Sequence, residues 1–155
     1  YCEGLYEVRI VLELEAVRRL CERAPGELPA PLEALRRTWL VEESQRLQDG
    51  RAVSLLDERF HCQLVEATGN RAMARLHAEV SEKIRIIRRL DFTQGPRVAA
   101  TYAEHGQILG AILSRRNEEA QRLLRTHIEV SKAEVRKITL HMLHSARQRS
   151  AAPLP

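Results

Sequence analysis

A chain of 155 residues is the size of one domain and is long enough to bury a single hydrophobic core without staples. Hydrophobic residues at 44 % and charged residues at 30 % exclude a disordered chain, and few aromatics (4 %) beside runs of Leu, Ala, Glu and Arg favour helices. The formal charge of +4 comes from 25 basic against 21 acidic residues in dispersed pairs such as Arg18-Arg19, Arg36-Arg37, Arg88-Arg89 and Arg115-Arg116, a pattern of solvated helix faces rather than the dense basic stripe of a nucleic-acid surface.

Punctuation divides the chain into six helical segments. The first runs from about Leu5 to Arg23, with Leu5, Val8, Leu12, Ala16 and Arg19 or Leu20 at helical spacing, and stops at Pro25-Gly26. The second, about Pro31 to Gln48, carries Leu32, Leu35, Trp39 and Leu47 and is expected to end at Asp49-Gly50 as a glycine stop. The third, about Ala52 to Ala67, buries Val53, Leu56, Phe60, Leu64 and Ala67; Gly69 then ends it and Asn70 caps the next. The fourth, about Ala72 to Leu90, places Met73, Leu76, Val80, Ile84 and Ile87 on one stripe and breaks near Gln94-Gly95-Pro96.

The fifth, about Val98 to Arg115, aligns Tyr102, His105, Leu109 and Ile112. The sixth, about Glu118 to Leu143, aligns Ala120, Leu124, His127, Ser131 and Ile138, with Asn117 as a cap between the two. Residues 145–155 are small, basic and proline-bearing and read as a flexible tail after a folded unit of residues 1–144. No strand alternation or internal repeat is present, so an all-α antiparallel bundle of about six helices with no β-sheet is expected. The opening on Tyr1, with an amphipathic pattern at once, predicts a longer parent chain.

Three cysteines, Cys2, Cys21 and Cys62, are an odd number in a chain that needs no disulfide framework, which fits a reducing cytoplasm. Apolar runs of about 18 residues and basic-then-apolar leaders are absent, so neither a membrane span nor a signal peptide is expected.

Four residues stand out as metal-ligand candidates. Asp57 and His61 are four apart and share a helix face. His105 and His127 occupy the centres of apolar stripes, where a polar side chain is costly without a partner. One lies eleven residues before the Arg116-Asn117 turn and the other ten after it, so in an antiparallel hairpin both imidazoles sit roughly 16 Å from the turn. Asp57 is likewise eleven residues before Thr68-Gly69. Three imidazoles and a carboxylate suit one divalent ion, Zn2+ or Ni2+ ahead of Mn2+ or Fe2+. The bland alternative is a set of core histidines satisfied by neighbouring carboxylates. His77 is a lesser candidate, on the flank of its stripe and suited to lining a pocket; His141 and His144 read as surface, and Cys62 points about 100° away from His61.

Enzyme readings are poorly supported. Glu58-Arg59-Phe60-His61 supplies one Glu-x-x-His pair of a di-iron site, but neither His105 nor His127 has a glutamate three residues before it. Nucleophile elbows, glycine-rich phosphate loops and Cys-His constellations are also missing. A metal-dependent hydrolase using an open coordination position remains as the alternative function, and a helical dimerisation module with structural histidines is the plainest one.

An ordered set of residues resembles a known family: Leu5-Tyr6-Glu7-Val8-Arg9 with Leu12-Glu13, Asp57-Glu58-Arg59-Phe60-His61, Ala67-Thr68-Gly69-Asn70, Glu104-His105 with Ile108-Leu109-Ala111-Ile112, and His127-Ile128. The chain resembles, over nearly its whole length, the FCD ligand-binding domain of FadR-type GntR transcription regulators. The resemblance implies a non-enzymatic, six-helix effector domain of a bacterial regulator in which Asp57, His61, His105 and His127 hold the ion and a small carboxylic acid completes its coordination. It also implies a homodimer, and DNA binding only through a winged helix-turn-helix N-terminal to this segment in a longer parent. Arg9, inside the first stripe, and Arg88, close to the fourth, are candidate anchors for the acid; their ordinary readings are an intrahelical pair with Glu13 and a snorkelling surface residue.

Overall fold

The computed structural model of the chain describes residues 2–93 and 95–151. Six helices follow one another: α1 (Cys2–Cys21), α2 (Ala30–Trp39), α3 (Gly50–Glu66), α4 (Arg71–Asp91), α5 (Gly95–Leu113) and α6 (Asn117–Ala151), with a short 3-10 turn at Glu43–Gln45; among the described residues there is no strand. The all-α bundle expected from composition and periodicity is the fold found.

Helix α1 is the central element, packed against α3, α4, α5 and α6, while α2 lies outside on α3 and α5. This placement corrects the stripe expected for α1. Its buried residues are Tyr6, Arg9, Ile10, Glu13, Leu14, Ala16, Val17, Leu20 and Cys21, whereas Val8 is 46 % exposed and Leu5 and Leu12 are only partly covered. A helix touched on several sides buries a broad face, and here that face includes Arg9, which the stripe reading places inside, and Glu13, which it does not. Helix α4 is rotated for the same reason. It buries His77, Val80, Ser81, Ile84, Arg88 and Asp91, and leaves Leu76 53 % exposed, so His77 belongs to the buried face rather than its flank.

Helix α2 ends at Trp39, well before the expected stop at Asp49-Gly50. Trp39 fills the core against Phe60 and Tyr102, and the chain then loops back, with the Leu47 N–H donating to the Tyr102 hydroxyl at 3.0 Å. Leu47 itself is half-exposed. Asp49 and Gly50 open α3 instead: the Asp49 carboxylate accepts from the Ala52 N–H at 2.9 Å as an N-cap. Gly50 is required by close approach, because a Cβ there would lie 2.3 Å from the Phe92 carbonyl oxygen. The variant Gly50→Ala is therefore expected to lose about 1–2 kcal/mol in urea unfolding, since overpacking at about 1–3 kcal/mol outweighs the few tenths gained from a stiffer unfolded chain.

Other turns follow the expected chemistry. Gly69 adopts φ 76° and ends α3, and the Asn70 side chain accepts from the Met73 N–H at 3.0 Å to cap α4. The α5–α6 turn uses Arg115 at φ 59°, anchored by its guanidinium donating to the Arg23 carbonyl at 2.6 Å. Asn117 is the first residue of α6 and accepts from the Gln121 side chain rather than from a backbone N–H. Helix α6 continues through Ala151, past the end expected at Leu143, because residues 144–151 contain neither Gly nor Pro and are good helix formers. Tail residues 152–155 and Gln94 of the expected α4–α5 break lie outside the described residues.

Candidate metal centre

Helix α3 stacks Asp57 and His61 one turn apart, α5 supplies His105 and α6 supplies His127; all four are buried. The structure brings the four together. From Asp57 Oδ1, the Nε2 atoms of His105, His61 and His127 lie at 3.0, 3.3 and 3.7 Å. Between rings, His105 Nε2 and His127 Nε2 are 3.2 Å apart, and His127 Nε2 and His61 Nε2 are 3.3 Å apart. Ligand bonds of about 2.0–2.2 Å at tetrahedral or octahedral angles separate neighbouring ligands by about 2.8–3.6 Å. The observed spacings are close to the edges of such a polyhedron.

Hydrogen bonding behind the rings supports the same reading. His61 Nδ1 lies 2.6 Å from Glu13 Oε2, and His127 Nδ1 contacts Glu104 Oε2. A carboxylate can only accept, so Nδ1 carries the proton and Nε2 turns a lone pair toward the centre. Asp57 Oδ1 accepts no well-formed hydrogen bond although three ring nitrogens lie within 3.7 Å. The Nε2 lone pairs of His61 and His127 thus face another acceptor in a dry interior, an arrangement that a cation would complete. Among the described residues, these four form a group that could hold a metal ion, with one ligand atom from each within 4.8 Å of the others.

Electrostatics differ from ring to ring. Burial pushes the His105 pKa down to about 3, and its ring is clamped by stacking on Phe60 (centroids 3.6 Å apart) and by the edge of Trp39 (4.1 Å). Burial and the Arg9 charge lower His61, whereas the Asp57 and Glu104 carboxylates overcome burial to raise His127. Burial disfavours a charged Asp57, but wherever the His61, His105 or His127 ring turns a proton toward it, that contact holds its carboxyl well below the ordinary carboxylate range.

Three arginines surround this group. Arg88, 2 % exposed, places Nε 3.1 Å from Asp57 Oδ2 and Nη1 3.6 Å from Glu58 Oε2, yet none of its nitrogens makes a hydrogen bond of acceptable geometry. Burial and the nearby Arg9 charge lower its pKa. The surface reading of Arg88 is thereby overturned. Arg9 pairs with Glu13 at 2.7 Å as its spacing suggested, but the pair is buried. Arg97 grips both oxygens of Glu104 (3.1 and 2.9 Å), and its Nε forms an ion pair at 3.4 Å, without a hydrogen bond, to Asp91 Oδ2, which accepts from Ser131 at 2.6 Å.

His77 lies off the metal group: its Nε2 is 2.8 Å from Glu13 Oε1, and hydrogen bonds to Cys62 and Glu13 raise its pKa to about 9 against burial. His141 and His144 are exposed as expected, and Cys62 stands outside the metal group. Sequence reasoning saw Glu13 only as a partner for Arg9 and gave no site role to Asp91, Arg97 or Glu104. These residues join the site through contacts between helices, which leave no spacing signal.

The FCD domain family model matches residues 4–130 of the chain. The chain belongs to the FCD family. Its sequence is also similar to the Nta operon transcriptional regulator of Aminobacter aminovorans, 33 % identical over 127 residues that cover 81 % of this chain and 57 % of that protein. This FCD chain thus spans somewhat more than half the length of the curated relative it matches. No helix among the described residues is long and apolar enough to cross a membrane.

Proposed function

We propose that this FCD domain is the effector-sensing and dimerisation part of a bacterial transcription regulator of the FadR-type GntR class, acting in the cytoplasm. It senses a small carboxylic acid at a divalent ion held by Asp57, His61, His105 and His127. The observation that carries this reading is the convergence of those four ligand atoms beside the buried Arg88 guanidinium, which makes no hydrogen bond. The donor set suits Zn2+ or Ni2+, with Mn2+ or Fe2+ as further occupants, and such an ion supplies open coordination positions for a carboxylate.

Charge balance favours an anion as the completing group. Arg9, Arg88, Arg97 and the charged form of His77 face the carboxylates of Glu13, Asp57, Asp91 and Glu104. A divalent ion added to that nearly balanced set leaves a positive excess in a medium where unpaired charge is expensive. Arg88 would receive the acid, with Arg9 and His77 as further anchors, because a guanidinium fork matches a carboxylate. An acid bridging the ion and Arg88 ties α3, α5 and α6 to α4, and any difference in its affinity for two packings shifts the population between them. In the parent chain this would reposition the attached winged helix-turn-helix on DNA.

Dimerisation is supported by the apolar character of the C-terminal half of α6. A groove of about 880 Å3 lined by Ile87, Leu90, Val135, Leu140 and Leu143 runs beside it, and Leu140, Met142 and Leu143 are each more than half exposed.

Elemental analysis of the purified domain should find about one divalent ion per chain, and light scattering should give the mass of two chains. A panel of acetate, lactate, malate, succinate and citrate, screened by thermal shift on metal-loaded protein, should yield at least one stabilising acid. A chain that takes up no metal, or a loaded one that responds to none of them, would defeat the reading.

A further inference from the structure

We propose that Glu13 is the positioning residue of the metal centre and carries its occupancy into α1; this rests on the metal reading above. Helix α1 supplies no metal-ligand candidate, yet it is packed against α3, α4, α5 and α6. Its tie to the centre is Glu13, which has no solvent exposure and has both oxygens engaged. Oε2 accepts from His61 Nδ1 at 2.6 Å, while Oε1 accepts from Arg9 Nε at 2.7 Å and faces His77 Nε2 at 2.8 Å.

Each contact has a consequence. A carboxylate on Nδ1 locks the His61 proton there, orients the ring and raises the donor strength of Nε2. The Arg9 and His77 contacts hold Glu13 in place, so that its second oxygen is not free to rotate away from His61. The other histidine-backing carboxylate is built differently. Glu104 is 31 % exposed and sits one residue from His105 on α5, so it directly links two ligand-bearing helices and reaches α4 only at second hand, through the Arg97–Asp91 ion pair. Of the two, only Glu13 itself stands on a helix outside the ligand set. Metal uptake that straightens His61 therefore stiffens α1 around Glu13, and a tighter α1 tightens the metal, as linkage requires.

The test uses the 155-residue chain and Zn2+ alone, with Co2+ as a spectroscopic probe. The variant Glu13→Gln keeps the shape but turns either an amide donor or a weaker neutral acceptor toward His61. Its Zn2+ affinity, read by chelator competition, is expected to fall about 10–100-fold, with a changed Co2+ absorption spectrum. Hydrogen exchange on the native chain should show α1 amides near Glu13 protected when Zn2+ binds, and that α1 protection should vanish in Glu13→Gln while protection of α3 and α5 persists at saturating metal.

Native affinity and spectrum in the variant, or α1 protection unchanged by it, would overturn the proposal. If Glu13→Gln does not fold, side-chain 15N spectra of the native chain decide, because a folded protein whose His61 lacks a proton at Nδ1 contradicts the positioning role. A native chain that binds no Zn2+ removes the functional reading itself, an outcome distinct from normal binding by the variant.

Discussion

Stripping metal from the loaded domain with a chelator is expected to lower its thermal midpoint by about 10 °C. An ion that binds the folded chain and not the unfolded one adds about 4 kcal/mol when its free concentration exceeds the dissociation constant a thousandfold. In a domain of this size each kcal/mol moves the midpoint by about 2–4 °C. The variant His105→Ala should lose the metal response almost entirely, because it removes one of four ligands and also the ring that Phe60 and Trp39 clamp. Its midpoint should then be the same with and without added Zn2+. Differential scanning fluorimetry over a metal titration makes the comparison, and a full Zn2+-induced shift in His105→Ala would remove His105 from the centre.

The second large effect is expected at Arg88. Its guanidinium is buried, lies beside another arginine and makes no hydrogen bond. Removing this poorly solvated charge relieves its desolvation, whereas truncating one partner of a buried ion pair ordinarily costs about 3–5 kcal/mol by leaving the other charge uncompensated. Here that other charge is Asp57, and bound metal compensates that carboxylate. In metal-loaded protein Arg88→Met should therefore unfold within a few degrees of the native chain or above it. Acid binding should nonetheless collapse, because truncating one partner of a buried charge-assisted pair costs roughly 2–5 kcal/mol, a fall of at least about thirtyfold in affinity. Calorimetric titration with whichever acid stabilises the native chain provides the number. Equal acid affinity in Arg88→Met would place the anion elsewhere.

Legibility of the fold and the site followed where polar residues sit. Helices α5 and α6 read well because Tyr102, His105, Leu109 and Ile112, and Ala120, Leu124, His127 and Ser131, form clear stripes joined by a tight turn. Their register alone places His105 and His127 at one level. Helices α1 and α4 read less well because Glu13, His77, Arg88 and Asp91 lie inside along with Arg9, and only Arg9 falls within an apolar stripe. The boundary at Asp49-Gly50 was ambiguous by nature, since an aspartate before a glycine can end one helix or cap the next. Here the nearness of Phe92 to Gly50 decided, and that contact spans more than forty residues. Pairs such as Glu104 with His127 and Asp91 with Ser131 join separate helices and could be seen only in three dimensions.

The length of α6 gives the centre mechanical reach. His127 lies ten residues into a 35-residue helix, so at about 1.5 Å per residue some 36 Å of rigid rod extends beyond it. A pivot of about 5° at the imidazole displaces the far end near Ala151 by about 3 Å, comparable to the spacing between ligands in the coordination cluster. On the proposed reading, small adjustments around a bound ion would be delivered as a lever stroke at the rim of the bundle.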